Sequence, residues 1–221
     1  MIRLAIESST ECCSVALDVD GEVRERLAVE PRAHAQRILP WARELLDEAG
    51  IGFADLDGLV VSRGPGGFTS LRIGLGIAQG LALAHDIPVH PVSSLDTLAQ
   101  TADPESRSTH LLALLDARMG EAYAAWFTVQ NDQRVRIGDE LLVPPDQLQC
   151  PSPGPWQAVG PGAASFHEIL KATLGSSVVL PTSDAPAVWP AARALLSLAD
   201  TTPPIPGHQI IPTYLRDQVT S

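Results

Sequence analysis

An acidic residue and three hydroxyl-bearing residues follow the first apolar run of the chain, at residues 2–6. They are Glu7, Ser8, Ser9 and Thr10. A carboxylate at a strand end beside hydroxyls on a turn could hold a hydrated metal ion and a phosphate group. The alternative is a turn whose hydroxyls bond their own backbone, and the spacing alone favours that alternative.

A glycine-rich loop lies between a short predicted strand at residues 59–61 and a predicted helix. Its glycines are Gly64, Gly66 and Gly67. Glycines let backbone N–H groups turn towards an anion, and a helix N-terminus adds partial positive charge, so the loop could cradle a phosphate. The loop matches neither G-x-x-x-x-G-K-[ST] nor a clean G-x-G-x-x-G, and no lysine follows it. A tight strand-to-helix connection stays equally open.

Asp116 ends a second apolar run, at residues 111–115, as Glu7 ends the first. Together with the hydroxyl turn and the glycine loop, Asp116 completes a candidate nucleotide or phosphate site. We expect no resident cofactor, and the pattern leaves weak binding of ATP or ADP open.

Metal-ligand and nucleophile patterns are missing from the sequence. No histidines pair at i, i+4, and neither C-x-x-C nor G-x-S-x-G occurs. The three cysteines are Cys12, Cys13 and Cys150, an odd number that suggests no disulfide framework. They are typical of small buried hydrophobes in a reducing compartment, so we expect a cytoplasmic protein without a metal site.

The composition of the chain excludes or disfavours several classes of protein. The 221 residues are 45% apolar and carry a formal net charge of −11. This apolar fraction excludes global disorder. No apolar run approaches the roughly 18 residues that a membrane-spanning helix needs. Direct, tight binding to nucleic acid by this chain alone is also disfavoured, because the sequence contains no basic run.

Both halves of the chain repeat one pattern. Three predicted strands with tight turns are followed by helix, strand and helix, and the pattern restarts after roughly 110 residues. In the second half, a helical stretch is expected after Pro144. We therefore predict an α/β protein of two similar lobes, residues 1–105 and 106–221, with one larger mixed sheet as the alternative.

Two helices of the first half have unusual surfaces. The helix predicted at residues 33–49 carries one apolar stripe and ends at Gly50. The helix predicted at residues 68–84 carries two rows of small residues, Gly76-Gly80-Ala84 and Gly74-Ala78-Ala82. An interior glycine costs up to about 1 kcal/mol relative to alanine, so these rows predict close packing against another element.

Six segments, taken together with their order along the chain, resemble the TsaB (YeaZ) family. Its members are the non-catalytic components of the bacterial machinery that makes N6-threonylcarbamoyladenosine in tRNA. The most diagnostic is DARMGEAY at 116–123. The others are AIESST at 5–10 with SVAL at 14–17, RAHAQRILP at 32–40, RGPGGFTSLRIG at 63–74, AQGLA at 78–82 and PTYLR at 212–216.

The resemblance implies an actin-like, sugar-kinase-like fold built from two duplicated lobes of ribonuclease-H-like topology. It also implies a catalytic relative, TsaD, whose metal-binding H-x-x-x-H pair looks replaced here by Ser94 and Leu98. A hydroxyl and a leucine cannot replace two imidazoles on a transition metal. The resemblance thus implies a chain without catalytic residues, whose nucleotide site is vestigial.

A docking face is the remaining expectation. In the family, the two helices described above pack against the matching pair of TsaD, and a third subunit, the ATPase TsaE, joins the assembly. A homodimer through the same helices is also expected, and tRNA is met only through the complex. The predicted interface residues are Arg32, His34, Ile38, Leu39, Trp41, Leu45, Arg72, Leu75, Gly76, Gln79 and Gly80.

An enzymatic alternative uses the same fold. A nucleotide-dependent kinase or ATPase would use the hydroxyl turn, the glycine loop and Asp116. The absence of a phosphate-reaching lysine argues against this alternative.

Overall fold

The first lobe is built on a five-stranded mixed sheet. A computed structural model describes residues 1–215 of the chain. The strand order is β3-β2-β1-β4-β5, with β1, β2 and β3 antiparallel and β1, β4 and β5 parallel. The strands are β1 Ile2–Glu7, β2 Cys12–Val19, β3 Glu22–Val29, β4 Gly58–Gly64 and β5 Val89–Ser93.

The second lobe repeats this arrangement. Its sheet has the order β8-β7-β6-β9-β10, again with an antiparallel trio and a parallel trio. The strands are β6 His110–Arg118, β7 Glu121–Gln130, β8 Gln133–Val143, β9 Trp156–Val159 and β10 Val178–Val179. The same order and the same strand directions in both sheets confirm the predicted duplication and the predicted fold class.

The helices connect and cover the strands. They are α1 His34–Ala49, α2 Phe68–His85, α3 Ser94–Ala102, α4 Pro161–Ser165, α5 His167–Leu174 and α6 Ala192–Leu198. The helical stretch expected after Pro144 is only a short 3-10 turn, Pro145–Gln147. Prolines at 151, 153 and 155 follow it, and their missing N–H groups prevent a longer helix.

The helix α6 returns to the first lobe late in the chain. It packs on the face of the first sheet opposite α1 and α2, against Ala5, Ala16 and Val60, and the Ser14 hydroxyl accepts the N–H of Ala192 at 3.0 Å. Among the described residues, the compact units are accordingly Met1–Thr97 with Pro190–Thr213, and Leu98–Trp189 with residues 214–215. This division differs from the predicted single cut between 105 and 106, because a sheet with two apolar faces needs a cover on both.

Helix α1 forms where the apolar stripe predicts it. His34, Ile38, Ala42, Leu45 and Leu46 are buried against the sheet. Gly50 ends the helix in the left-handed conformation, with φ 70°.

Among residues 1–215, no helix is both long enough and apolar enough to cross a membrane. Arg216, which closes the last of the six segments, lies outside the described residues.

The cysteines give a first testable prediction. Cys12 and Cys13 lie fully buried in β2, as expected, whereas Cys150 is partly exposed. Burial raises the pKa of both β2 thiols to about 12, so almost no thiolate forms near neutral pH. We expect an aromatic disulfide reagent at pH 8 to modify at most Cys150 in the native protein and all three cysteines after denaturation. Rapid native modification of two or more thiols, followed by absorbance, would contradict this.

Candidate functional site

The turn after β1 is buried rather than open to solvent. Glu7, Ser8 and Ser9 are almost completely inaccessible. One Glu7 carboxylate oxygen, Oε1, accepts the Ser9 N–H at 2.7 Å, and the Thr10 hydroxyl accepts the Cys12 N–H at 3.2 Å. These bonds satisfy the backbone, as the turn alternative predicts.

Three polar atoms of this turn lack a hydrogen-bond partner among the described residues. They are Glu7 Oε2 and the hydroxyls of Ser8 and Ser9. Burial raises the pKa of Glu7 to about 7, an effect that the hydrogen bond from the Ser9 N–H only partly opposes. A buried carboxyl with one orphaned oxygen favours the protonated form, which is a poor ligand for a metal ion.

The glycine loop packs directly on this turn. The Gly67 N–H donates to the Ser9 carbonyl at 2.7 Å, and a Cβ added to Gly66 would lie 2.2 Å from the same oxygen. The structure thus brings together the two segments singled out in the sequence. However, the N–H group at the start of α2 bonds the protein itself, so this geometry favours the strand-to-helix connection over the phosphate cradle.

Asp116 forms its described hydrogen bonds within its own hairpin. Its carboxylate accepts the Arg118 N–H at 2.7 Å, and the Arg118 guanidinium lies 3.5 Å away. Among residues 1–215, no three histidine, cysteine or acidic side chains cluster as metal ligands would. Ser94 and Leu98, the two residues that the family resemblance sets against the relative's histidines, are both fully buried.

Four of the predicted interface residues lie inside the protein's own core. His34, Ile38, Leu45 and Leu75 are at most 3% exposed, so they cannot touch a partner in this conformation. Their assignment to the docking face is therefore corrected: the α1 stripe covers the sheet. Burial also lowers the pKa of His34, whose Nε2 has no hydrogen-bond partner among the described residues.

Gln79 and Trp41 are also largely engaged within the chain. The Gln79 side-chain amide donates to the Ile210 carbonyl at 2.9 Å and so holds the late segment against α2. Trp41 is half-buried against the core, and the Arg37 guanidinium carbon lies 5.6 Å from its ring centre. Both residues therefore make contacts within the chain, and each keeps part of its side chain exposed.

The exposed face of α1 and α2 comprises Leu39, Phe68, Arg72, Gly76, Gly80 and Leu83, with Arg32 just before α1. Phe68 is 62% exposed and Leu83 is 87% exposed, and sequence reasoning missed both. The Arg72 guanidinium carbon lies 3.3 Å from the Phe68 ring centre. The i, i+4 spacing of Phe68, Arg72 and Gly76 is the signal that could have identified Phe68.

The two small-residue rows of α2 point in different directions. A Cβ added to Gly74 would lie 2.1 Å from the Ser8 hydroxyl, so this row packs inside the lobe. A Cβ added to Gly76 or Gly80 would meet nothing within 4 Å. Within residues 1–215, the close packing predicted from the glycine rows is therefore found at Gly74 and not at Gly76 or Gly80.

Comparison with known proteins identifies relatives across nearly the whole chain. A family model described as "TsaD: tRNA N6-adenosine threonylcarbamoyltransferase" matches residues 28–174. The tRNA threonylcarbamoyladenosine biosynthesis protein TsaB of Escherichia coli is 41% identical over 89% of this chain and 84% of its own length. The protein of the same name from Haemophilus influenzae is 36% identical over 98% and 94%.

A solved structure agrees with these sequence matches. YeaZ from Pseudomonas aeruginosa superposes with a TM-score of 0.84 at 37% identity, covering 97% of this chain and 99% of that one. The duplicated α/β lobes described above are thus the fold of that protein as well. On the identities and on this superposition, the chain belongs to the TsaB (YeaZ) family, within the wider group that the TsaD model describes.

Proposed function

We propose that this chain is a non-catalytic subunit in the biosynthesis of threonylcarbamoyladenosine in tRNA. In this proposal it binds and activates TsaD, the catalytic relative, and TsaE joins the assembly. The names of its relatives support the process, and the TsaD-described family model supports kinship with the catalytic subunit. The net charge of −11 supports contact with tRNA only through the complex.

The observation that carries the docking proposal is the exposed glycine row of α2. Gly76 and Gly80 each cost the helix up to about 1 kcal/mol relative to alanine. Among the described residues, no neighbouring atom lies within 4 Å of a Cβ added at either glycine, so no packing compensates this cost there. Glycines on a helix surface let a second helix approach closely. The exposed side chains of Phe68 and Leu83 add apolar surface that a bound partner would remove from water.

A nucleotide-dependent enzyme is the weaker alternative. It would need the glycine loop to present free N–H groups, yet the Gly67 N–H bonds Ser9. It would also need an ionised carboxylate near the phosphates, whereas Glu7 is buried and partly protonated at neutral pH. We therefore propose that the chain acts through its surface, and that a homodimer through the same face competes with the heterodimer.

The docking proposal predicts a large effect of bulk at the exposed glycines. Replacing Gly76 or Gly80 with Trp should separate the two helix axes and weaken binding to TsaD by about 100-fold or more. Co-purification and calorimetric titration of the two full-length proteins would measure this. Ala172→Trp, at an exposed position on α5, is the matched control and should bind like the unmodified chain. Undiminished binding by both glycine variants would refute the docking face.

A further inference from the structure

Most arginines of the described chain form an ion pair with a carboxylate. These are Arg3, Arg24, Arg26, Arg37, Arg107, Arg118, Arg134, Arg136 and Arg193. Arg32 and Arg43 differ, because within residues 1–215 neither side chain has an ion pair or a hydrogen bond. Both side chains are exposed.

These two arginines border the exposed face of α1 and α2. Arg32 lies immediately before α1, and Arg43 lies one turn after the exposed Leu39. On the neighbouring helix, Arg72 is the single residue among 68–84 with a formal charge, and it lies one turn before Gly76. The apolar and small-residue surface is therefore flanked by positive charge on both helices.

Carboxylates on α1 offset this charge only in part. Glu44 and Glu48, on the same helix as Arg43, are directed to Arg26 of β3, and Glu30 pairs with Arg37. Asp47 is the remaining carboxylate on α1 and forms no ion pair with Arg43. In a chain with a net charge of −11, Arg32, Arg43 and Arg72 thus form an arginine-rich patch, with three arginines against Asp47.

We infer that the surface which docks on this face is acidic, and that its charge selects it over a second copy of this chain. The inference rests on the proposed function and specifies the chemistry of its partner. Two-fold self-association would place the same arginines of both copies in one interface. Like charges in an interface oppose association, whereas a complementary acidic surface favours it.

The apolar part of the face favours a protein over RNA. Phosphates would pair with the arginines, but they would leave Leu39, Phe68 and Leu83 uncovered. A helix from an acidic protein surface would cover the glycine row and place carboxylates beside Arg32 and Arg43. Only charges within about 10 Å would matter at moderate salt, so the acidic remainder of the chain would not dominate.

Charge reversal in the full-length chain tests this inference. The double variant Arg32→Glu/Arg43→Glu should weaken binding to the catalytic relative by about tenfold or more at 50 mM salt, and the loss should shrink at 300 mM. Self-association, measured by sedimentation, should change little, because both copies then carry the reversed charges and like charges still oppose each other across the interface. Lys171→Glu, a reversal at an exposed cation on α5, is the matched control, and Arg43→Lys should retain binding.

The outcomes separate this inference from the proposed function. If the double variant binds the catalytic relative as tightly as the wild-type chain does, the inference of an acidic partner is overturned and the proposed function stays intact. Wild-type chain that does not bind the relative at all would overturn both. A gel shift with tRNA that is lost only in the double variant, with heterodimer affinity unchanged, would assign the patch to RNA and overturn the inference.

Discussion

Gly74→Ala is expected to destabilise the protein by about 2 kcal/mol, whereas the same substitution two residues further along α2 should stabilise it. The added Cβ at position 74 would lie 2.1 Å from the Ser8 hydroxyl and 2.9 Å from the Ser8 Cβ. Ser8 is fully buried, so it cannot move into solvent to make room. At Gly76 the Cβ enters open space, and alanine should gain up to about 1 kcal/mol in helix propensity.

Urea unfolding of the three proteins, with the midpoint as the readout, would measure these opposite shifts. The double variant Ser8→Gly/Gly74→Ala provides the control for the contact itself. With Ser8 truncated, the nearest atom that the new Cβ meets is Ile6 Cγ2 at 3.5 Å, an ordinary contact. The coupling between the two positions should recover about 1–2 kcal/mol. Equal midpoints for Gly74→Ala and Gly76→Ala would contradict the assignment of the two rows.

The glycine rows illustrate how far the sequence alone could go on helix α2. Spacing alone identifies both rows, because residues three and four apart share a helix face. It does not reveal which row faces the sheet, since glycine and alanine carry no hydrophobic signal. The structure shows that the Gly74 row faces inward, because Gly74 packs against Ser8, a residue far from α2 in sequence.

The α1 stripe shows the opposite limit. Its periodicity predicts the helix and its buried side well, and Ile38 and Leu45 lie where the pattern places them. The same residues could not also form a docking surface, because a side chain buried against its own sheet is unavailable to a partner. A stripe measures apolarity and does not distinguish core from interface.

The late part of the chain was the hardest to predict. Residues 202–213 lack a repeating apolar pattern, yet they are held to the first lobe by specific bonds. Ile205 and Val89 exchange backbone hydrogen bonds at 2.8 and 2.9 Å, and the Thr213 N–H donates to the Arg63 carbonyl at 2.7 Å. Such pairings depend on backbone geometry rather than on side-chain type, so the repeat pattern, which assigns residues 106–221 to one lobe, placed this segment with the second lobe.

The turn after β1 was predicted as a candidate ligand site, and burial changes its chemistry. Sequence identifies Glu7 as an acid at a strand end, but it does not reveal that the glycine loop and α2 close over the turn. Gly66 and Gly74 both approach this turn so closely that no Cβ would fit. The resulting desolvation of Glu7 gives the protein a stability that depends on pH.

Glu7→Gln is expected to remove that pH dependence. Burial raises the pKa of Glu7 from 4.5 to about 7 in the folded protein. Below pH 4.5, Glu7 is neutral in both the folded and the unfolded protein, and the free energy of unfolding is at its full value. As the pH rises from 4.5 to about 7, Glu7 ionises first in the unfolded chain, so the free energy of unfolding falls. Glutamine is neutral at every pH, so relative to the unmodified protein the variant should gain roughly 2 to 3 kcal/mol between pH 5 and pH 8.

Urea unfolding of both proteins at several pH values between 5 and 8 would measure this gain. The difference in unfolding free energy should grow steadily up to about pH 7 and then level off, because above the folded pKa both states of the unmodified protein are ionised. Asp139→Asn removes an exposed carboxylate that is not part of the turn after β1, and it serves as the control. A difference between Glu7→Gln and the unmodified protein that stays constant with pH would mean that Glu7 is ionised throughout, and that its orphaned oxygen has a partner in solution.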